Sequence, residues 1–394
     1  MLKEKTVVLG VTGSIAAYKI ANLARMLVKQ HCEVHVLMTQ NATNFINPIT
    51  FETLTKHKCL IDTFDRNFEF SVEHVALAKA ADVVMIAPAS ANVIGKIANG
   101  IADDMLTTTV MACPCKKIVS PAMNHNMFHN PIVQDNIEKL KHYGYEIVEP
   151  AHGMLANGDM GDGRMPDEEL LFEYIVKEIA FEKDMTGKKV LVTAGATVEA
   201  IDPVRFITNH SSGKMGFALA KNAMLRGADV TLVMGKCDSE PPVFVNTVKV
   251  QSAKDMYDAV IERADSMDII VKAAAVADYR PKNVSSEKVK KQDGNMSIEL
   301  ERTDDILKTL GERKNGQFIC GFSMETENML ENSRKKLEKK NCDMIVANNL
   351  KQDGAGFGGN TNIVTLITKD DEVQLEKMTK DEVAEKIFDF ILSR

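Results

Sequence analysis

The sequence predicts an α/β protein built from two doubly wound, three-layer domains in tandem. Three observations carry that prediction. Short apolar runs rich in β-branched residues alternate with segments of helical spacing, the pattern of parallel strands joined by crossover helices. DVVMIA at 82–87 is continuously apolar, as a strand covered on both faces must be. An opening pattern of strand, small-residue turn and helix at 6–29 is echoed from residue 189, after a polar linker. With 394 residues, 45% of them hydrophobic, the chain can fill two cores.

The first strand (Thr6, Val7, Val8, Leu9, Val11) ends in Thr12-Gly13-Ser14. Apolar residues then recur at Ile15, Tyr18, Ile20, Leu23, Leu27 and Val28, which is helical spacing. Such a turn aims backbone N–H groups and the positive end of a helix dipole at one spot, where a phosphate can sit. An ordinary βα turn, with glycine for sterics, reads the same way. Glu33 to Met38 is the second strand, ending at Thr39. DVVMIA ends in Pro88-Ala89-Ser90-Ala91-Asn92 and leads into one helical segment, VIGKIANGIADDMLTTTVMA. A strand at 116–120, the turn PAMNHNMF, a helix at 131–143 and a strand at 145–148 complete the first α/β unit. Ligands of such sheets collect beyond the carboxyl ends of the strands, so these turns should converge.

Residues 152–166, HGMLANGDMGDGRMP, hold four glycines and no periodicity, which predicts a flap without regular elements. A helix at 168–181 and the polar EKDMTGKK form the linker, giving domains at 1–182 and 186–394. The second domain opens with the strand KVLVTAG, an irregular stretch TVEAIDPVRFITN, and HSSGKMG leading into a helix at 217–226. Strands follow at 229–233 and 268–272, the latter running into AAAVADYRP. The rest reads as strand 317–322, helix 326–340, strand 343–347, the loop DGAGFGG, strand 363–367 and a helix near 380–392.

Bulk properties exclude some functions. A net charge of -7 argues against a general nucleic-acid binder. No apolar stretch approaches the ~18 residues of a bilayer span. Seven scattered cysteines with no CxxC pair suggest reduced thiols and a cytoplasmic protein; Cys113-Pro-Cys115 is too close, and lacks partners, for a zinc site.

Candidate chemistry in the first half begins with His74, in SVEHVALAKAAD just ahead of the buried strand. Histidine is the natural base near neutral pH, although a lone histidine is more often a hydrogen-bonded surface residue. Asn124 in PAMN stands at a strand end and offers both a donor and an acceptor to a carboxylate; a turn asparagine capping the next segment would look the same. Together, TGSIAAYK, H-V-x-L-A-x-x-A-D, APASAN with GIADD, PAMNHNM and GDMGDGRMP resemble the flavin-dependent cysteine decarboxylases, specifically the phosphopantothenoylcysteine decarboxylase family, over residues 1–180. The resemblance implies a flavodoxin-like flavoprotein sheet with FMN held by Gly13, Ser14, Thr39, Ser90 and Asn92. It further implies His74 as the essential base, Asn124 on the substrate carboxylate and a flap over the substrate. Flavin would supply the electron sink that a cysteinyl carboxylate lacks, and the same flavin would reduce the ene-thiol left after CO2 departs. Two positions depart from the family. Phe128 stands where Trp is usual, and Asn157 stands where the flap cysteine normally donates the last proton. An amide cannot give up a proton at useful pH.

In the second half, Ser211-Ser212-Gly213-Lys214 at a helix start can bind phosphate through N–H groups, hydroxyls and a point charge. A capped helix with a solvated lysine is the simpler alternative, and the frame is not a P-loop. Asp278 lies just beyond a buried strand, Lys288, Lys290 and Lys291 follow on a loop, and Lys336 and Lys340 lie four apart on a helix face. Several lysine clusters near strand ends in an acidic chain point to a triphosphate. This half resembles the phosphopantothenate–cysteine ligases over about residues 186–394, and the order of the halves matches the bifunctional coenzyme A biosynthesis family of bacteria. The resemblance implies that CTP and Mg2+ activate 4'-phosphopantothenate as an acyl-cytidylate, which the amine of L-cysteine attacks. It places Lys272, Ala273, Ala274, Asp278, Lys288, Asp304, Asp305, Ile306, Leu307, Phe322, Lys336 and Lys340 against CTP, Asn209 at the acyl-cytidylate and Lys288 in a catalytic role. Asp304 stands where the family commonly has proline. Both halves would then be Rossmann-like, in a cytoplasmic homo-oligomer with trimeric first halves and dimeric second halves. The sequence identifies no metal ligands. Two rivals remain at this point: oxidative decarboxylation of peptide cysteines, and a non-catalytic flavin- or nucleotide-binding regulator.

Overall fold

The computed structural model describes residues 2–63, 73–154, 158–290, 296–325, 328–349 and 359–394. Asn157 and Lys291 therefore lie outside the described residues. Two units are compact in themselves, Met1–Phe181 and Glu182–Arg394. Among the described residues no helix is long and apolar enough to cross a membrane.

In the first unit, β1 (Thr6–Val11) leads through a 3-10 helix (Ile15–Lys19) into α1 (Ile20–Lys29), and β2 (Glu33–Met38) follows. Next come α2 (Pro48–Thr55), α3 (Glu73–Ala80), β3 (Val83–Ala89), α4 (Ala91–Ala98), α5 (Met105–Ala112) and β4 (Lys116–Pro121). The unit closes with α6 (His125–Phe128), α7 (Pro131–His142), β5 (Glu146–Ile147), β6 (Ala151–Met154), β7 (Met160–Arg164) and α8 (Glu168–Ile179). The sheet is parallel, ordered β2-β1-β3-β4-β5, which is the flavodoxin arrangement with its switch point between β1 and β3. Every residue of β3 is buried, which is why its sequence shows no alternation. Each of its Val, Met and Ile side chains contributes about 1.5–3 kcal/mol of burial.

Three expectations for this unit change. The helical segment after Pro88 is two helices, because Asp104 starts α5 with a reciprocal capping box to Thr107 and so ends any continuous run. The 152–166 stretch is not devoid of structure, since β6 and β7 pair antiparallel as a hairpin. The strand register places Gly163 against the PAMN turn: its φ is +117°, and a Cβ there would stand 2.3 Å from the Met123 carbonyl oxygen. Glycines that read as looseness are the condition for close packing. Finally, Ile15 and Tyr18 are 57% and 61% exposed, because the 3-10 turn rotates them off the apolar face that α1 presents to the core.

The second unit begins with β8 (Lys189–Ala194), β9 (Val198–Ala200), β10 (Phe206–Thr208), α9 (Lys214–Leu225), β11 (Asp229–Met234) and β12 (Asn246–Lys249). It continues with α10 (Ala253–Ala264), β13 (Ile269–Lys272), β14 (Tyr279–Pro281), β15 (Leu300–Arg302), α11 (Ile306–Glu312) and β16 (Phe318–Glu325). Last are α12 (Met329–Lys339), β17 (Met344–Asn349), β18 (Thr361–Asn362), β19 (Val364–Ile367), β20 (Glu372–Gln374), β21 (Met378–Thr379) and α13 (Lys380–Leu392). Its sheet is ordered β12-β11-β8-β13-β16-β17-β19-β20. The first six strands are parallel in the doubly wound dinucleotide-binding order, and β19 and β20 extend the edge antiparallel. The TVEAIDPVRFITN stretch, expected to be irregular, pairs β9 with β10. Asp202 holds that turn by accepting from the Val204 and Arg205 N–H groups, both at 2.8 Å. The helix expected from 217 starts at Lys214, since Gly213 (φ +81°) makes the turn into it.

Candidate active sites in the two units

At the β1/β3 switch point the strand ends are tied by one buried side chain. Thr12 Oγ1 donates to the Pro88 carbonyl at 2.7 Å and accepts from the Ser90 N–H at 2.9 Å. The neighbouring loops are joined by backbone bonds: Thr39 N–H to Val11 O, Ala122 N–H to Ala89 O and Met123 N–H to Gly163 O, each 3.0 Å. Ser14, Thr39 and Ser90 each start a helix by accepting from a backbone N–H, of Ala16, Ala42 and Val93 respectively. Their hydroxyls cap helices, so a ligand phosphate would meet N–H groups in a preformed cradle. Gly13 is needed there, because a Cβ would stand 2.9 Å from that of Asn41.

A cavity of about 380 Å3 opens over this edge, lined by Ser14, Ile15, Tyr18, Met123, Asn124 and Met165 among others. Gly13, Thr39 and Ser90 sit on the adjoining strand-end loops and Asn92 in the first turn of α4, and none of them lines it. The exposed Ile15 and Tyr18, missed as site residues, form an apolar wall that suits a planar ring; their place was hidden by their helical spacing. Asn124 lines the cavity while its Oδ1 caps α6 by accepting from the Asn126 N–H at 2.9 Å, so both readings of that residue hold. Hydroxyls and N–H groups at strand ends beside an apolar wall fit a flavin phosphate and ring. His74, partly exposed near the start of α3, does not line this cavity.

In the second unit two cavities, of about 370 and 410 Å3, share Lys272, Val276, Asp278 and Lys336. They lie at the β8/β13 switch point, where Ala275 N–H donates to Gly195 O at 2.9 Å and Ala274 N–H to Thr193 Oγ1 at 3.0 Å. Every residue that the sequence assigns to CTP lines one of them except Lys288, which is exposed on its loop. That loop is fastened below by Asp202, which accepts from the Val289 N–H at 3.2 Å, and by the Arg205 guanidinium, which donates to Val289 O at 2.7 Å. Hydrogen bonds from Arg205, then from backbone N–H groups, hold the Asp202 carboxyl well below the usual carboxylate range. Asn209 lines the larger cavity and donates to Ala275 O at 3.1 Å.

Sequence reasoning did not assign Lys380, which also lines that cavity from the first turn of α13. Burial, and then the charge of Lys214, lowers its pKa. Lys272 is pushed down to about 8, chiefly by burial and then by Lys336, with Asp278 and Asp305 pulling the other way. Asp305 is paired with Lys340 and caps α11. Burial raises its pKa, but hydrogen bonds from Lys340 and the Lys308 N–H, with the charges of Lys340 and Lys272, hold the carboxyl below its ordinary value. Lysines desolvated around an open cavity form a site that gains when a polyanion enters.

Family comparison fits this division. The flavoprotein family model matches residues 1–180, and that of the DNA/pantothenate metabolism flavoprotein C-terminal domain matches 185–394. The coenzyme A biosynthesis bifunctional protein CoaBC of Bacillus subtilis is 48% identical over 373 residues, covering 94% of this chain and 92% of that protein. The chain belongs to the CoaBC family. The CoaBC of Borreliella burgdorferi is 40% identical across 98% of this chain and 99% of that protein. A crystal structure of the C-terminal domain of a CoaBC aligns with TM-score 0.46 and 48% identity, over 53% of this chain and 96% of that one. As a CoaBC family member the chain is a bifunctional enzyme of coenzyme A biosynthesis with a flavoprotein first unit.

Proposed function

We propose that the second unit joins cysteine to 4'-phosphopantothenate at the expense of CTP, and that the first unit decarboxylates the product to 4'-phosphopantetheine with FMN. The observation that carries the ligase reading is the paired cavity at the β8/β13 switch point, ringed by Lys214, Lys272, Lys336, Lys340 and Lys380. Acyl transfer through a cytidylate needs negative charge neutralised on a leaving pyrophosphate, and desolvated amines do this better than solvated ones. Mg2+ would be held mainly by the phosphates, with Asp278, on the wall that the two cavities share, as a carboxylate candidate. Asn209 presents an amide to the acyl group, and Lys288 would close over the nucleotide from the loop that Asp202 fastens.

In the first unit, Gly13, Ser14, Thr39, Ser90 and Asn92 would hold FMN by its phosphate and ring edge, and Asn124 would grip the substrate carboxylate. FMN when bound supplies the electron sink for loss of CO2. Met154 and Arg164 of the hairpin β6–β7 line the cavity, and the hairpin would shield the reacting carbon from water once substrate is bound. His74 would act as base on substrate reaching it from outside the cavity wall, as in a homo-oligomer where neighbouring copies complete each site. The decisive experiment supplies the purified chain with 4'-phosphopantothenate, cysteine and CTP and follows CMP, pyrophosphate and CO2. Equal release of all three is expected. Absence of CMP would remove the ligase reading, and CO2 only from a cysteine-ending peptide would replace the decarboxylase reading.

A further inference from the structure

Away from both sites, three side chains converge on the edge strand of the first sheet. Glu33 and His35 stand two apart on β2, so their side chains leave the same face. His57 comes from the turn after α2. The chain beyond it runs beside β2, with Leu60 N–H donating to Val36 O at 3.0 Å and Met38 N–H to Leu60 O at 2.9 Å. This pairing sets His57 over the strand. His35 Nε2 lies 3.4 Å, and His57 Nε2 3.6 Å, from one and the same atom, Glu33 Oε1. The imidazole centroids are 4.3 Å apart, and one ligand atom from each of the three residues lies within 4.8 Å of the others.

These separations are long for hydrogen bonds, which cluster near ~2.9 Å. The two distances to Glu33 Oε1 come close to those of a coordination shell instead. A tetrahedral ion with bonds of about 2.0–2.1 Å spaces its ligand atoms about 3.3–3.4 Å apart. A second group in this unit, His125, His129 and Asp162, shows the contrast. There Asp162 meets His129 and His152 at 3.0 Å through its two oxygens, and its N–H donates to His125 Nδ1 at 3.2 Å. Each oxygen of that carboxylate is already engaged by a histidine at ordinary hydrogen-bond distance, so it reads as a latch on the β6–β7 hairpin rather than an ion cage.

We propose that Glu33, His35 and His57 form a binding site for a divalent transition-metal ion of the zinc class. Two imidazole nitrogens and a carboxylate oxygen are the ligands such ions take, and the fourth position would open to water on a cavity lined by Glu33 and His57 together with Lys3, Glu4, His31 and Cys32. The site lies at the amino end of β2, whereas the flavin cradle gathers at the carboxyl ends, so the ion takes no part in the decarboxylation. Its effect is to staple the 56–60 segment to an edge strand that otherwise holds it by two backbone bonds.

The test uses the full chain, stripped with chelator and titrated with Co2+ as the spectroscopic probe. One equivalent should bind with the intense visible absorption of tetrahedral cobalt and be displaced by Zn2+, and Zn2+ should raise the melting temperature. His57→Ala should weaken cobalt binding at least tenfold while leaving the metal-free melting temperature unchanged. Glu33→Gln, at an exposed strand position, gives the same readout if the first variant folds poorly. His129→Ala should bind cobalt like the parent. Binding that persists in both His57→Ala and Glu33→Gln, binding lost in His129→Ala, or no stoichiometric binding in the parent would overturn the assignment.

Discussion

Lys272 should make the proposed nucleotide site sensitive to pH in a calculable way. With its pKa at about 8 in the free protein, it loses its charge above that value, whereas an ordinary lysine stays charged. Taking the protonated form as the one that binds phosphate, the dissociation constant scales as one plus the ratio of neutral to charged amine. From pH 7 to pH 9 that factor grows about tenfold, or about 1.4 kcal/mol. The sign follows from the depressed pKa: binding a polyanion stabilises the ammonium, so CTP binding takes up a proton near pH 8 and weakens as pH rises. Calorimetric titration of CTP into the protein at pH 7, 8 and 9 measures both quantities without interference from the ionisation of cysteine. Lys272→Met should bind CTP weakly at pH 7 and lose this pH step, converging on the parent at pH 9. A parent affinity flat between pH 7 and 9, or the same slope in Lys272→Met, would refute the assignment of the charge to this amine.

Four further outcomes are expected. Thr12→Val keeps the shape of the buried side chain but leaves the Pro88 carbonyl and Ser90 N–H unpaired; it should cost about 2–4 kcal/mol, read as a melting temperature several degrees lower with weaker flavin retention. His74→Asn should cut CO2 release by about 10²–10⁴-fold with CMP and pyrophosphate release and bound flavin unchanged, a combination that a folding defect of the first unit would not produce. Because Asn157 cannot donate a proton, single-turnover mass analysis should reveal a product two hydrogens lighter that accumulates before phosphopantetheine, and Asn157→Cys should abolish the accumulation. Asp202→Asn should lower kcat/KM for CTP by freeing the Lys288 loop, while decarboxylation of supplied phosphopantothenoylcysteine continues at the parent rate.

Local patterning carried the sequence reading furthest. Burial on both faces erased alternation from β3, and the strand–turn–helix text at 6–29 and from 189 marked turns whose residues Ser14 and Ser211 to Lys214 line the cavities. Lys214, Lys336 and Lys340 were legible because amines near strand ends are conspicuous in an acidic chain, whereas Lys272 entered through the family resemblance and Lys380 was missed. Elements whose stability comes from partners were not legible. The β6–β7 hairpin has no periodicity of its own and exists because Gly163 lets its strand approach Met123. Ile15 and Tyr18 carry helical spacing yet face a cavity, since a 3-10 turn changes the angle between successive residues.

By itself the sequence determined the number of units, their doubly wound class and the chemical character of each strand-end loop, because these depend on residues close together in the chain. Only the tertiary structure decided the strand orders, the tie that Thr12 makes between two switch-point loops, the depressed pKa of Lys272 and the meeting of Glu33, His35 and His57. Each of those depends on distances between residues far apart in sequence and on how much water the surrounding strands exclude, and neither quantity is written in local spacing.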